Sequence, residues 1–237
     1  MKMWSKPPSR LEVLLRSLRS LAAAALVVLV AAPAAVSSAP PAEPKTLAEL
    51  LPLVQATYKG VTAIRSDFVQ SAKNPATGVE FKESGRILLE RPRKYRMEMG
   101  LPLTTALVSD GTTQWVYSAP AKQVTMQKEL GTGAGPVQLI DDLGRLSELF
   151  DATLAPPTTP PKPFYVVSLK PKVAGAYKQI DLTLKKQTYT LQELVLTDVT
   201  GGVTKMTFNG MVLGGDIPDT QFTFKAPPGV TVVNQMQ

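Results

Sequence analysis

The sequence predicts a mainly β fold: one antiparallel sheet of roughly nine to eleven strands, with helices covering one face. Three observations predict it. From residue 61 onward apolar residues recur with a period of two. Turn residues such as Asp110-Gly111 and Gly201-Gly202 punctuate that pattern. Helical spacing occurs in only two places, near residue 50 and near residue 140.

The elements follow in chain order. Residues 39–45 are rich in Pro and Ala and read as a flexible lead-in. Thr46-Leu-Ala-Glu49 matches a capping box, in which the Thr hydroxyl and the Glu carboxylate each satisfy an orphan N–H. Leu47, Leu50, Leu51, Val54 and Tyr58 then fall on one helical face, and Gly60 is placed to end it. Pro52 costs about 3 kcal/mol inside a helix, so a kink or a start near Leu51 is expected there.

Strands are expected next. Gly85, Ile87 and Leu89 alternate with Arg86 and Glu90. Tyr95, Met97 and Met99 alternate with Arg96 and Glu98. Thr113, Trp115 and Tyr117 follow the first turn. A Gly-rich stretch at 131–135 leads to Pro136, which is tolerated at a helix start. Ile140, Leu143, Leu146 and Phe150 continue at helical spacing. Residues 155–163 (APPTTPPKP) read as a stiff loop. Alternation resumes at Tyr165, Val167 and Leu169, then at Ile180, Leu182 and Leu184, then at Leu194 and Leu196. Thr204, Met206 and Phe208 follow the second turn, and Phe222 and Phe224 close the series. A sheet of that size curls, so the helices are expected on its concave, apolar side.

Bulk composition narrows the function classes. The 237 residues carry a formal charge of +7. Lys2, Lys6, Arg10, Arg16 and Arg19 precede an apolar run from Leu21 to Val30, and small residues end it at Ser38. This reads as a secretory signal over residues 1–38. The apolar stretch to Val36 is shorter than the roughly 20 residues of a membrane span. Without that segment 21 basic and 18 acidic residues remain, so no basic stripe for nucleic acid is expected. The rest, residues 46–237 after the lead-in, is long enough for one domain with a large core or a cavity. The chain has no Cys and no His. That excludes disulfides, His-based catalysis and the usual zinc ligand sets. Asp141-Asp142 is the one adjacent acidic pair, and it reads as a solvated helix face. Neither an enzyme, a metal nor a cofactor is expected.

The candidate inward set is Phe68, Tyr95, Met97, Met99, Trp115, Leu194, Leu196, Met206 and Phe208. Met adapts to irregular partners. A filled core and a cavity for an apolar ligand give the same alternation. Arg91 precedes Pro92, which holds it extended and marks an edge or bulge. Its five fixed donors suit several acceptors at once.

The order of motifs resembles the LolA family of periplasmic lipoprotein carriers. The resemblance rests on SDFVQ at 66–70, SGRILLERPRKYRMEM at 84–99, VSDGTTQWVY at 108–117 and PVQLIDDL at 136–143. It continues in LQELVLTD at 191–198 and FTFKAPPGVTVVNQ at 222–235. What it implies is an incomplete, open β-barrel with a helical lid, working in the periplasm as a monomer. The cavity would take the acyl chains of lipoproteins. An inner-membrane ABC transporter would load the carrier, and an outer-membrane acceptor would unload it. Arg91 corresponds to the family's latch between barrel and lid. The lid would carry Leu47, Leu50, Leu51, Val54, Ile140 and Leu143. Tyr95 stands where the family more usually has Phe, and Met97 where it has an aromatic. The loop at 155–163 looks like an insertion. Three alternatives stay open: a carrier or sensor of another lipid on this scaffold, a carboxylate hydrolase, and an envelope protein with a filled core.

Overall fold

A computed structural model describes residues 43–100, 102–129 and 135–236. The expected signal, residues 39–42 of the lead-in and most of the Gly-rich stretch lie outside the described residues. The end of the lead-in is held in place. Pro44 is buried, and Glu43 pairs with Lys186 at 2.6 Å.

Helix α1 spans Leu47–Tyr58 without interruption. The capping box forms: Glu49 N–H donates to Thr46 Oγ1 at 3.3 Å, and the Glu49 carboxylate accepts from Lys45 and Thr46 N–H. Pro52 lies inside the helix, which starts at Leu47 and not near Leu51. Pro52 is on the exposed side, where water can bond the Ala48 carbonyl that it leaves free. The opposite side buries Leu50, Val54 and Tyr58, at roughly 1.5–3 kcal/mol for each side chain.

Six strands follow: β1 (Ala63–Lys73), β2 (Glu80–Glu90), β3 (Lys94–Met99), β4 (Thr105–Asp110), β5 (Thr113–Ser118) and β6 (Gln123–Lys128). The middle helical region is broken into α2 (Pro136–Asp141), a 3₁₀ turn (Asp142–Arg145) and α3 (Leu146–Leu149). Phe150 does not continue it. It opens β7 (Phe150–Leu154), which is followed by β8 (Phe164–Pro171), β9 (Tyr177–Lys185), β10 (Leu191–Asp198) and β11 (Val203–Leu213). A 3₁₀ turn at Asp219–Phe222 precedes β12 (Thr231–Gln235).

Among the described residues twelve strands form one sheet, in the order β12-β6-β5-β4-β3-β2-β1-β11-β10-β9-β8-β7. The sheet is open, with β12 and β7 as its edges. It is antiparallel except where β12 runs parallel to β6. The expected strand through Phe222 and Phe224 is not formed. Pro227, Pro228 and Gly229 keep that segment irregular, and the chain adds its last strand only after them.

The sheet carries a large apolar core on its inner face and two smaller apolar patches on its outer face. The inner face carries the main core, shared with all three helices. On the outer face the C-terminal segment lies over the strands. Ile217 and Phe222 pack on Ala63 and Leu88. Phe224, Ala226 and Val230 pack on Ala106, Val108, Tyr117 and Val124. Polar bonds fix the segment as well. Arg96 donates to the carbonyls of Gln221 and Thr223 at 3.0 and 3.1 Å, and Lys94 pairs with Asp219 at 2.6 Å. Phe222→Ala is therefore expected to cost about 3 kcal/mol, read from the denaturation midpoint. An unchanged midpoint would mean that this segment is detached in solution.

Candidate functional site

Strand phase decides which side chains face the helices. Met97 pairs with Ile87 and Leu107, and Tyr95 with Leu89 and Ser109. Phe68 pairs with Phe208 and Gly85, and Leu194 with Met206. Gly85 has no room for a side chain: an added Cβ would collide with the Phe68 ring. The ring therefore lies over Gly85 on the inner face. Phe68, Tyr95, Met97, Leu194, Leu196, Met206 and Phe208 are all buried in one cluster, with Met99 packed at its margin. Leu50, Val54, Ile140 and Leu143 of the helical layer join the same cluster, and Leu47 and Leu51 pack against it.

Trp115 is the exception. It pairs with Val108 and Met126 and packs with the outer cluster under the C-terminal segment. The period-two reading gave its strand phase correctly but assigned the wrong face. Here the outer face is the more apolar one, so apolar character alone does not identify the inner face.

Arg91 joins the sheet to α1 and α2. It follows β2, and its peptide bond to Pro92 is cis. Its Nη1 donates to the carbonyls of Tyr58 and Val61 at 3.0 and 2.5 Å, at the end of α1. Its Nε and Nη2 donate to the Asp141 carboxylate at 2.5 Å and the Asp141 carbonyl at 2.6 Å, at the end of α2. One guanidinium thus satisfies helix-end carbonyls from two helices. Asp141 and Asp142 are not a solvated face. Asp141 holds Arg91, while Asp142 is buried, accepts from Gln138 at 2.9 Å and pairs with Arg145 at 2.6 Å.

Tyr58 is a second tie. Its hydroxyl accepts from Leu191 N–H at 2.8 Å and donates to Met211 Sδ at 3.7 Å. Burial pushes the hydroxyl up to about 12, against the opposing bond from Leu191. The proton favours the folded chain, so this contribution is whole below about pH 10 and is lost as pH rises through 12. Tyr58→Phe is expected to cost about 1–2 kcal/mol at neutral pH, because it leaves a buried N–H unpaired. It should also flatten the loss of stability between about pH 10 and 12. Parallel alkaline curves for the two chains would place that hydroxyl in water.

The hydroxyl of Tyr95 has partners that alternation did not reveal. It donates to Glu129 Oε2 at 2.6 Å and accepts from Gln114, which in turn accepts from Gln127. Burial, and then the bond to the Glu129 carboxylate, hold it well above the usual phenol range. Glu129 is buried just beyond β6, and its N–H donates to the Thr112 carbonyl at 2.8 Å. Carrying the phase of Tyr95 across the Asp110-Gly111 turn would have placed Gln114 inward and Trp115 outward.

Beside α2 an open groove of about 400 Å³ leads to the inner face. Leu139, Phe150, Tyr177, Ile180 and Leu196 give it apolar walls.

The family described as outer membrane lipoprotein carrier protein LolA matches residues 59–225. The chain belongs to the LolA family. That match spans β1 to β11, the helical layer after α1 and most of the C-terminal segment. A LolA relative from Bordetella pertussis, named outer-membrane lipoprotein carrier protein, is 31% identical over 195 residues, covering 81% of this chain and 89% of its own. One of the same name from Alkalilimnicola ehrlichii is 29% identical over 179 residues, covering 74% of this chain and 79% of its own. A LolA superfamily structure from Nitrosomonas europaea covers 76% of this chain and 98% of its own, with 12% identity and a TM-score of 0.42. Among the described residues of this LolA-family chain, no helix is long and apolar enough to cross a membrane.

Proposed function

We propose that this protein is a periplasmic carrier that takes the acyl chains of lipoproteins and delivers them to the outer membrane. Its loading partner would be an inner-membrane ABC lipoprotein-releasing transporter, and its unloading partner an outer-membrane acceptor. The carrying observation is the helical layer. It covers an apolar inner face and is tied to the sheet by the polar bonds of Arg91 and Tyr58. The names of the relatives support the cargo.

The physical problem is solubility. An acyl chain of about 15 methylenes costs about 12 kcal/mol to expose, at ~0.8 kcal/mol per methylene. The inner face is filled by the helices in the closed protein, so loading is an exchange. Acyl methylenes replace Leu50, Val54, Ile140 and Leu143 against the sheet, and apolar area stays covered throughout. The net free energy is then small, which permits both loading and release. The groove beside α2 gives a chain end its first contact with Ile180 and Leu196. The residues used are apolar or hydrogen-bonding, and no catalytic step is assigned to them.

The test is native mass spectrometry of residues 39–237 purified from a periplasm without detergent, followed by lipid extraction. An acylated protein bound one to one is expected. A different bound lipid would reassign the cargo. Failure to form a soluble complex with added lipoprotein would overturn the carrier reading.

A further inference from the structure

The inner face is chemically divided. On β8 to β11 it is built almost wholly from Val, Leu, Ile, Met and aromatic residues. On β4 to β6 the same phase presents Thr105, Ser109, Gln114, Ser118, Gln123, Thr125 and Gln127, with only Leu107 and Val116 apolar among them. Their orientation is fixed by bonds as well as by pairing. Tyr95, Ser109, Gln114 and Gln127 lie in one row directly across four strands. The amides are chained to the Tyr95 hydroxyl, and Gln123 Nε2 donates to Thr125 Oγ1 at 3.1 Å one row further on.

All seven polar side chains are uncharged. A row of neutral amides and hydroxyls on an inner face is costly unless its polar groups are bonded. It gives nothing to a methylene chain. It suits a ligand with neutral carbonyl acceptors, since a Gln amide has two donor hydrogens and the row uses one of them between neighbours. The row also begins at the helical layer: Tyr95 and Glu129 share a small cavity with Val137, Gln138 and Asp141 of α2. Movement of α2 would therefore uncover the apolar and the polar halves together.

We infer that the β3–β6 wall is a subsite for the ester and amide linkages of a lipidated N-terminus, with Gln114 and Gln127 as donors to their carbonyls, while the β8–β11 wall takes the hydrocarbon. This rests on the carrier reading and sharpens it. The protein would select lipids by the carbonyls at the chain heads, which a purely apolar cavity cannot do. The discrimination follows from the cost of leaving polar groups unpaired.

Two probes separate the terms. One is a synthetic lipopeptide with an N-acylated cysteine bearing a diacylglyceryl group. The other is its analogue with ether and amine linkages in place of the ester and amide carbonyls. Both would be titrated against residues 39–237 by displacement of a fluorescent fatty acid. The unaltered chain is expected to bind the carbonyl-bearing probe about tenfold more tightly. Gln114→Leu with Gln127→Leu should abolish that preference by weakening the first probe while leaving the ether probe as tight or tighter. Gln127→Leu alone, at a partly buried position, should lose part of the preference and guards against misfolding of the double variant. Equal affinities for the two probes in the unaltered chain, or a preference that survives both substitutions, would overturn the subsite and leave the carrier intact. Failure of the unaltered chain to bind either probe would overturn the carrier reading itself.

Discussion

Arg91→Leu is expected to bind acylated lipoprotein more tightly than the unaltered chain and to release it poorly. Arg91 makes four bonds to the ends of α1 and α2, and all four exist only while the helices cover the inner face. Hydrogen bonds to a charged group contribute about 1.5–3 kcal/mol each when buried. This guanidinium is 25% exposed, so the net loss is smaller, about 2–3 kcal/mol for the set. The loss falls on the closed state alone. A ligand that needs the open state binds in proportion to how often that state is populated. At about 1.4 kcal/mol per tenfold, affinity should rise by roughly 30- to 100-fold. Release slows correspondingly, and the empty protein melts several degrees lower. Lipid displacement gives the first quantity, and transfer to acceptor-bearing vesicles gives the second. Unchanged affinity and normal transfer would remove Arg91 from the mechanism.

Tyr95→Glu should be the most damaging single change. Tyr95 is 3% exposed and bonds to the buried Glu129 carboxylate. A second carboxylate there faces the like charge of Glu129. Uncompensated buried charge costs about 3–5 kcal/mol, a large share of the stability of an ordinary domain. Loading of lipoprotein should fall below detection. Burial and the neighbouring carboxylate would both raise the pKa of the new acid above its unfolded value. The neutral form is then the folded one, so the deficit should shrink as pH falls towards about 4 and grow above it. Thermal melts of the two chains across that range measure this. A deficit independent of pH would show the new side chain turned out into water, and loading equal to that of the unaltered chain would place Tyr95 outside the site.

Most of the fold could be read from the sequence because its signals were local. Thr46 and Glu49 announced α1, and period-two runs announced most of the strands. The resemblance supplied Arg91 as a latch, and its donors do meet the helix ends. Its acceptors could not be read, because they are backbone carbonyls with no sequence signature. Trp115 was misplaced for a physical reason. The C-terminal segment gives the outer face an apolar layer of its own, so on β4 and β5 the oily side is the outer one. Gln114 and Gln127 were missed by the same assumption, since amides in an alternating strand read as solvent-facing. Phe222 and Phe224 have the spacing of a strand, but they anchor an irregular segment whose partners lie far away in the chain.

The strand order also governs how the chain can assemble. β1 sits in the middle of the sheet between β2, its immediate successor, and β11, so that Phe68 meets Phe208. The ladder from β1 to β6 can zip up as successive hairpins while the chain is still incomplete. It then stalls with two raw borders, at β1 and at β6. The first is closed only by β11 and the second only by β12. Such long-range pairing is slow, and an unpaired border invites other chains. Any truncation before Thr231 leaves the β6 border open, and one before Val203 leaves both. Shortened forms of this protein should therefore clump rather than persist as smaller carriers, and the full-length chain should need either haste or a chaperone to outrun its own sticky intermediates.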